Sequence, residues 1–186
     1  MTPIRFMLML LLIIGIGSCG KPEARKPVSR ATGSYIQQSA ERNKELYAQE
    51  KLQLQQLVAQ DSSRNYQSSP NGFWYTLIQR DTTQSGSPRV GDLVSFSYDI
   101  LSLEGDTLIS RSENGVISYS IDQSNQELIS GIREGLKVMQ AGDVTQFLFP
   151  SYLAYGYYGS QGAVNPNQMV RSTIELYSIE KKESNN

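Results

Sequence analysis

Histidine is absent from this 186-residue chain, and cysteine occurs once. Without imidazole there is no side chain that titrates near neutrality by default, and no Ser-His-Asp triad. A single cysteine cannot close a disulfide within the chain. A strong charge of either sign is also missing. Lys and Arg number 17 against 18 Asp and Glu, which leaves a formal net charge of −1 and a pI near 5.5. No basic patch of the kind that grips nucleic acid stands out, so a nucleic-acid partner is not expected. Glycine is common, but never in the spacing of a Walker or dinucleotide phosphate loop. What remains is carboxylate chemistry, hydroxyl chemistry, catalysis without acid–base groups, or binding without chemistry. No cofactor is implied.

Long apolar runs are scarce. The longest, FMLMLLLIIGI at residues 6–16, follows Arg5. About a dozen apolar residues suit a signal-peptide core and fall short of the ~20 needed to span a bilayer. Small residues and the sole cysteine follow, I-G-S-C at 16–19. This resembles the lipobox of bacterial lipoproteins. The resemblance implies cleavage after residue 18, diacylglycerol on the Cys19 thiol and acylation of the new amino terminus. Several acyl chains together anchor a protein where one cannot. Lipidation leaves no free thiol, which removes Cys nucleophiles and Cys-based zinc sites. A secretory signal with an incidental cysteine and an uncleaved anchor are the other readings, and all three predict export. Gly20 is not the acidic residue that holds some lipoproteins on the inner membrane. Anchoring in the outer membrane facing the periplasm is therefore expected.

Residues 19–33 are rich in Lys, Arg, Pro and small residues and read as a tether. Residues 34–60 contain neither Gly nor Pro. Ser34 is placed to cap a helix there. Ile36, Ala40, Asn43 and Tyr47, with Leu46, Leu54, Leu57 and Val58, form a loose stripe at helical spacing. Such a helix would be ~40 Å long. It either rests on its own domain as a packed spacer or mediates a homodimer or envelope complex. Residues 61–72 form a linker, 73–182 a domain and 183–186 a tail.

Within 73–182 the period changes. FWYTLIQ reads as a first strand and LVSFSYDIL alternates as a second. VISYSI, VTQFLF and RSTIELYSIEKK are further strands. ELISGIREGLKVM, residues 127–139, is one amphipathic helix with Leu128, Ile132, Leu136 and Met139 on a face. The fold class is α+β: an antiparallel sheet covered by one helix, after an amino-terminal helix. A Tyr- and Gly-dense loop separates Pro150 from Arg171. Loops that long in a compact domain are usually functional.

Three phrases in this order, V-G-D before the strand ending in Tyr98, E-L-I-S-G-I-R-E-G-L at 127–136, and P-S-Y-L-A-Y-G at 150–156 followed by N-P-N, resemble the FKBP-type peptidyl-prolyl isomerases. The resemblance spans about residues 73–182. Within the family the chain is most similar to the gliding-motility-associated FKBP-like lipoproteins, which share the anchor and the helical segment. It implies an antiparallel sheet wrapped on one helix, and rotation about X–Pro bonds of exported proline-containing proteins. That chemistry suits a chain without histidine. The ~18–20 kcal/mol barrier comes from amide resonance, and no proton or covalent bond need move. An apolar pocket that favours the twisted amide, with donors on the flanking carbonyls, is sufficient.

Carried over residue by residue, the resemblance makes Tyr98 a pocket wall. Leu128 and Ile129 stand where the helix begins, the Ile129 N–H facing a ligand carbonyl. Tyr155 is the flap tyrosine whose hydroxyl donates to such a carbonyl, and Val164 is an aliphatic flap residue. Ile117 or Tyr119 takes the aromatic strand position. Tyr98, Ile129 and Tyr155 are thus the candidate catalytic residues. Leu108, Ile109, Ile117, Tyr119, Leu128, Ile132 and Val164 are the candidate substrate contacts. Leu108-Ile109 replaces the family's Phe-Asp, Ile132 its floor tryptophan, Ser172 its last-strand aromatic and Ala163 a larger flap aliphatic. Those departures favour a second reading, a binding or assembly module with weak turnover. The alternative reading of Tyr98 is ordinary strand core. Tyr152, Tyr157 and Tyr158 read as flap packing and surface. Asp99, Glu104 and Asp106 read as solvated turn acids, and no metal site is expected.

Overall fold

The structure, a computed structural model, describes residues 32–81, 86–123 and 128–182, with backbone alone for 32–34. The expected signal peptide, Cys19 and the tether to residue 31 lie outside the described residues, as do Glu127 and the tail. Helix α1 runs Thr32–Gln60. It begins two residues before Ser34, so that serine is inside the helix and not its cap. The chain divides into two units, Met1–Ser39 and Ala40–Asn186. Of the first, only the opening turns of α1 are described. The sheet, its two hydrophobic clusters and the candidate site all belong to the second.

Gln, Glu, Lys, Ala and Leu dominate α1, all good helix formers. Its buried face is only the later part of the stripe expected from apolar spacing, from Leu46 to Val58. Ile36, Ala40 and Asn43 are exposed, whereas Glu50 and Leu54 are buried and Leu57 and Val58 half-buried. The buried stripe starts later, at half-buried Leu46, and includes a carboxylate that hydrophobic periodicity cannot flag.

Among the described residues, eight strands form one antiparallel sheet: β1 (Gln67–Ser68), β2 (Trp74–Gln79), β3 (Leu93–Tyr98), β4 (Ile100–Leu101), β5 (Thr107–Ile109), β6 (Ile117–Ser120), β7 (Val144–Phe149) and β8 (Val170–Glu180). Their order is β1-β2-β7-β8-β3-β6, and β4 joins β8 to β5. Central β7 is buried on both sides from Thr145 onward. Phe147 and Phe149 point into the main core with Val94, Phe96, Ile174 and Leu176. Leu148, one residue out of phase, meets Leu54 and Tyr66 in a second cluster. Period two therefore puts α1 and the helix after β6 in register on opposite faces.

That helix, α3 (Ser130–Leu136), is shorter than expected. Leu128 precedes it, and the turn after it closes with Met139 N–H donating to Leu136 O. Its glycines explain how it seats. A Cβ on Gly131 would stand 2.7 Å from a ring carbon of Phe149, and one on Gly135 3.1 Å from Phe147. Their spacing of four residues leaves a bare strip on which the two rings lie.

The segment read as one strand, LVSFSYDIL, breaks at Asp99. Its side chain accepts the Thr173 N–H at 2.7 Å, and its carbonyl accepts the Ser172 hydroxyl at 2.7 Å. A side chain has taken over a ladder bond, which ends β3 and starts β4. A short helix, α2 (Arg111–Asn114), lies outside the expected elements. Ser110 and Glu113 form a complete capping box around it, the S-x-x-E signature that permits so short a helix.

Candidate active site

Strand β3 delivers Tyr98 at its carboxyl end, 7% exposed, with its ring stacked on Phe96 at 6.0 Å. Helix α2 fixes that end, because Asn114 Nδ2 donates to the Tyr98 carbonyl at 3.0 Å. Arg111 of the same helix donates to Glu175 at 2.6 Å and to the Thr173 carbonyl at 3.2 Å. Helix α3 opens at Ile129, whose backbone is extended at φ −57° and ψ 146°. Pro150 ends β7 and a 3-10 turn, Ser151–Leu153, lifts the chain into the flap. Tyr155 follows, and Gly156 reverses the chain at φ +61°. The flap closes on itself where the Ser160 N–H donates to the Val164 carbonyl at 2.8 Å.

All ten carried-over residues belong to the main hydrophobic core or pack against it. Tyr98, Tyr119, Ile132 and Val164 are buried in the main core, and Leu108, Ile109, Ile117, Leu128, Ile129 and Tyr155 pack half-buried against it. Strand register separates the two candidates for the aromatic position. Ile117 pairs with Phe96, two residues from Tyr98, while Tyr119 pairs with Val94, four residues away. Ile117 is thus the nearer of the two to Tyr98 in the register. Tyr119 is interior, with a buried hydroxyl that has no partner among the described residues.

Burial pushes the Tyr155 hydroxyl up to about 12, with neighbouring Tyr98 adding to it. Burial likewise raises Tyr98. Both phenols keep their protons at neutral pH and stand ready as donors in a poorly hydrated place, where a hydrogen bond counts for more.

The departures have structural counterparts. Ile109 is half-buried and apolar and packs against the core that holds Tyr98. Ile132 is fully buried beneath the cluster. Ser172, fully buried, faces Phe147 across the β7–β8 ladder. Aromatic volume comes instead from Phe73, whose ring lies 5.7 Å from both Phe147 and Phe149. Phe73 lies next to Trp74 at the start of the FWYTLIQ segment. It belongs to the main core, whereas Trp74 packs against the second cluster.

Ser172 also tightens the β3–β4 corner through the Asp99 carbonyl. Ser172→Ala removes that donor and is expected to cost about 1–2 kcal/mol in urea-unfolding free energy, as for a hydrogen bond lost in a buried setting. Asp99 is correspondingly no solvated turn acid. It accepts the Thr173 N–H at 2.7 Å and pairs with Arg111 at 3.8 Å. Among the described residues no group of three His, Cys, Asp or Glu side chains is placed to hold a metal ion. No described helix is long and apolar enough to cross a membrane.

The sequence model of FKBP-type peptidyl-prolyl cis-trans isomerases matches residues 84–177, just over half of the chain. The peptidyl-prolyl cis-trans isomerase Mip of Coxiella burnetii is 28% identical over 126 residues, which cover 68% of this chain and 53% of that protein. The outer membrane protein MIP of Legionella longbeachae is 28% identical over 113 residues, covering 60% and 46%. The chain thus spans about half the length of the curated relatives it matches. Among solved structures, FkpA from Escherichia coli aligns with a TM-score of 0.57 at 18% identity, over 97% of this chain and 74% of that one. That alignment shows a shared fold. With this fold, and with a family match over more than half its length, the chain belongs to the FKBP-type peptidyl-prolyl cis-trans isomerases.

Proposed function

We propose that this protein accelerates cis–trans exchange at X–Pro bonds of exported proteins in the bacterial envelope, tethered there by lipid on Cys19. The observation that carries the reading is the convergence of Tyr98, Ile129 and Tyr155 on one apolar cluster, with both phenols desolvated. Uncatalysed exchange takes tens of seconds or longer, so a folding protein gains from a catalyst. The apolar walls favour the less polar twisted amide. The Tyr155 hydroxyl and the Ile129 N–H hold the carbonyls on either side of it. Outer-membrane placement, self-association or an envelope complex through residues 34–60, and support of a gliding machinery are narrower forms of the same proposal. They are motivated by the lipobox, the long helix and the resemblance to motility-associated lipoproteins. A protease-coupled assay over a series of X–Pro peptides tests the activity. Rates that rise in proportion to protein support it, and rates no faster than background from folded protein remove it.

A second reading is favoured by Ile109 and Ser172, a binding module that holds proline segments with little turnover. Peptide titration that shifts the Tyr98 and Tyr155 resonances without speeding exchange would establish it in place of the first.

The site has no group that titrates near neutrality. The kcat/KM for isomerisation is therefore expected to stay flat within about twofold from pH 6 to 9. Stability should follow the raised phenol. Unfolded tyrosine loses its proton near 10, but folded Tyr155 keeps it to about 12. The unfolded state then binds fewer protons than the folded one, so the stabilisation from this group, complete below pH 10, is lost as pH rises toward 12. Tyr155→Phe should flatten that alkaline decline in a pH series of unfolding curves.

A further inference from the structure

Between Glu41 and Gln53, α1 is exposed but for two positions, half-buried Leu46 and buried Glu50, and Glu50 is only 3% exposed. Its Oε2 accepts the backbone N–H of Ser151 at 3.0 Å, across 101 positions of sequence. Ser151, 1% exposed, is the first residue of the turn that lifts the flap out of the sheet. The Ser151 carbonyl in turn accepts the Gly156 N–H at 2.9 Å, and the Gly156 carbonyl accepts the Asn167 N–H at 2.8 Å. Tyr155 sits inside the loop that the Ser151–Gly156 bond closes. One helical turn before Glu50, the Tyr47 ring lies 4.7 Å from that of Tyr152 in the same turn. One turn after it, Leu54 fills the second core.

Packing alone does not seat the helix here. A cavity of 540 Å³, lined by Tyr47, Lys51, Pro150 and Tyr152 among others, opens between α1 and the root of the flap. The polar contact is also not arranged for stability. Oε1 of Glu50 and the Ser151 hydroxyl are both buried without a partner among the described residues. A buried carboxylate with one oxygen unmatched is costly, and an apolar side chain would dock the helix more cheaply. What the carboxylate supplies and an apolar group cannot is a directed acceptor for one backbone N–H.

We propose that Glu50 is a positioning residue, which fixes the flap and with it Tyr155 through the Ser151 backbone. This rests on the isomerase reading of the site. Misplacing a catalytic group by about 1 Å can cost up to ~10²-fold. In the full-length chain, Glu50→Leu is therefore expected to lower kcat/KM about tenfold at unchanged fold, and to speed hydrogen exchange at the Gly156 and Asn167 amides about tenfold. Glu50→Gln keeps an acceptor oxygen on the same stem and should stay within about threefold of wild type in both. A merely structural contact would shift the melting temperature and leave both readouts of the folded protein alone. The proposal is overturned if Glu50→Leu changes neither readout, or if Glu50→Gln is as damaging as Glu50→Leu. Should wild type show no turnover, the isomerase reading falls and the two exchange rates decide alone. Unchanged rates in Glu50→Leu then overturn the clamp, and about tenfold faster rates uphold it.

Discussion

Gly131→Ala is expected to destabilise the domain by about 3 kcal/mol, the upper end of ordinary overpacking in a core. Alanine in place of glycine within a helix normally gains up to ~1 kcal/mol. Here the added methyl would sit 2.7 and 2.8 Å from two Phe149 ring carbons and 2.9 Å from the Leu153 carbonyl. The ring is wedged between Phe73 and Phe147, and the carbonyl is backbone, so neither yields cheaply. The clash outweighs the propensity gain. Against a total stability of 5–15 kcal/mol this is a large share, and it corresponds to a fall in melting temperature of about 10 °C. Gly135→Ala meets Phe147 at 3.1–3.4 Å and should cost less. Thermal unfolding of the two variants checks the order, and an equal or smaller loss at 131 would mean that α3 does not seat on its glycines. Surviving Gly131→Ala protein should also be a poorer catalyst, since α3 carries Ile129 at its start.

Tyr155→Phe is expected to lower kcat/KM about tenfold, while Tyr157→Phe stays within about twofold. The first change deletes one hydroxyl from a half-buried ring in the cluster. A hydrogen bond worth ~1–1.5 kcal/mol to the transition state is worth about a factor of ten in rate. Tyr157, two positions on, is 69% exposed and touches Tyr158 rather than the pocket. Equal effects would show that the flap tyrosine had been assigned to the wrong position. Retained stability in both variants keeps the comparison clean, because neither substitution changes core volume.

Much of this was legible in the residues because strand period and turn residues agree with the final fold. Alternation located β3, β6 and β8, and Pro150 marked the end of β7. Tyr98, Ile129 and Tyr155 came from three phrases that resemble a family, and the fold brings them to one cluster. The rest failed for physical reasons. Asp99 breaks an apparently continuous strand because its side chain substitutes for a ladder partner, which pattern cannot register. The helix at 127–139 is trimmed to Ser130–Leu136, and the flanking Leu128 and Met139 still pack in or against the main core from outside it. Glu50 was invisible among the many polar residues of α1. Its burial depends on a partner 101 positions away. Ser172 looked like a loss of aromatic wall; the register sets it opposite Phe147, and the Phe73 ring packs on Phe147 and Phe149.

The central claim is that a pocket built from Tyr98, Ile129 and Tyr155 speeds rotation about X–Pro bonds. Exchange NMR on an X–Pro peptide, with wild type and Tyr155→Phe measured side by side, tests it most directly. Cis–trans exchange well above the uncatalysed rate, proportional to wild-type protein and about tenfold weaker with Tyr155→Phe, is the expected result. Exchange at the background rate in the presence of folded wild-type protein, or acceleration that is indifferent to Tyr155→Phe, would contradict it.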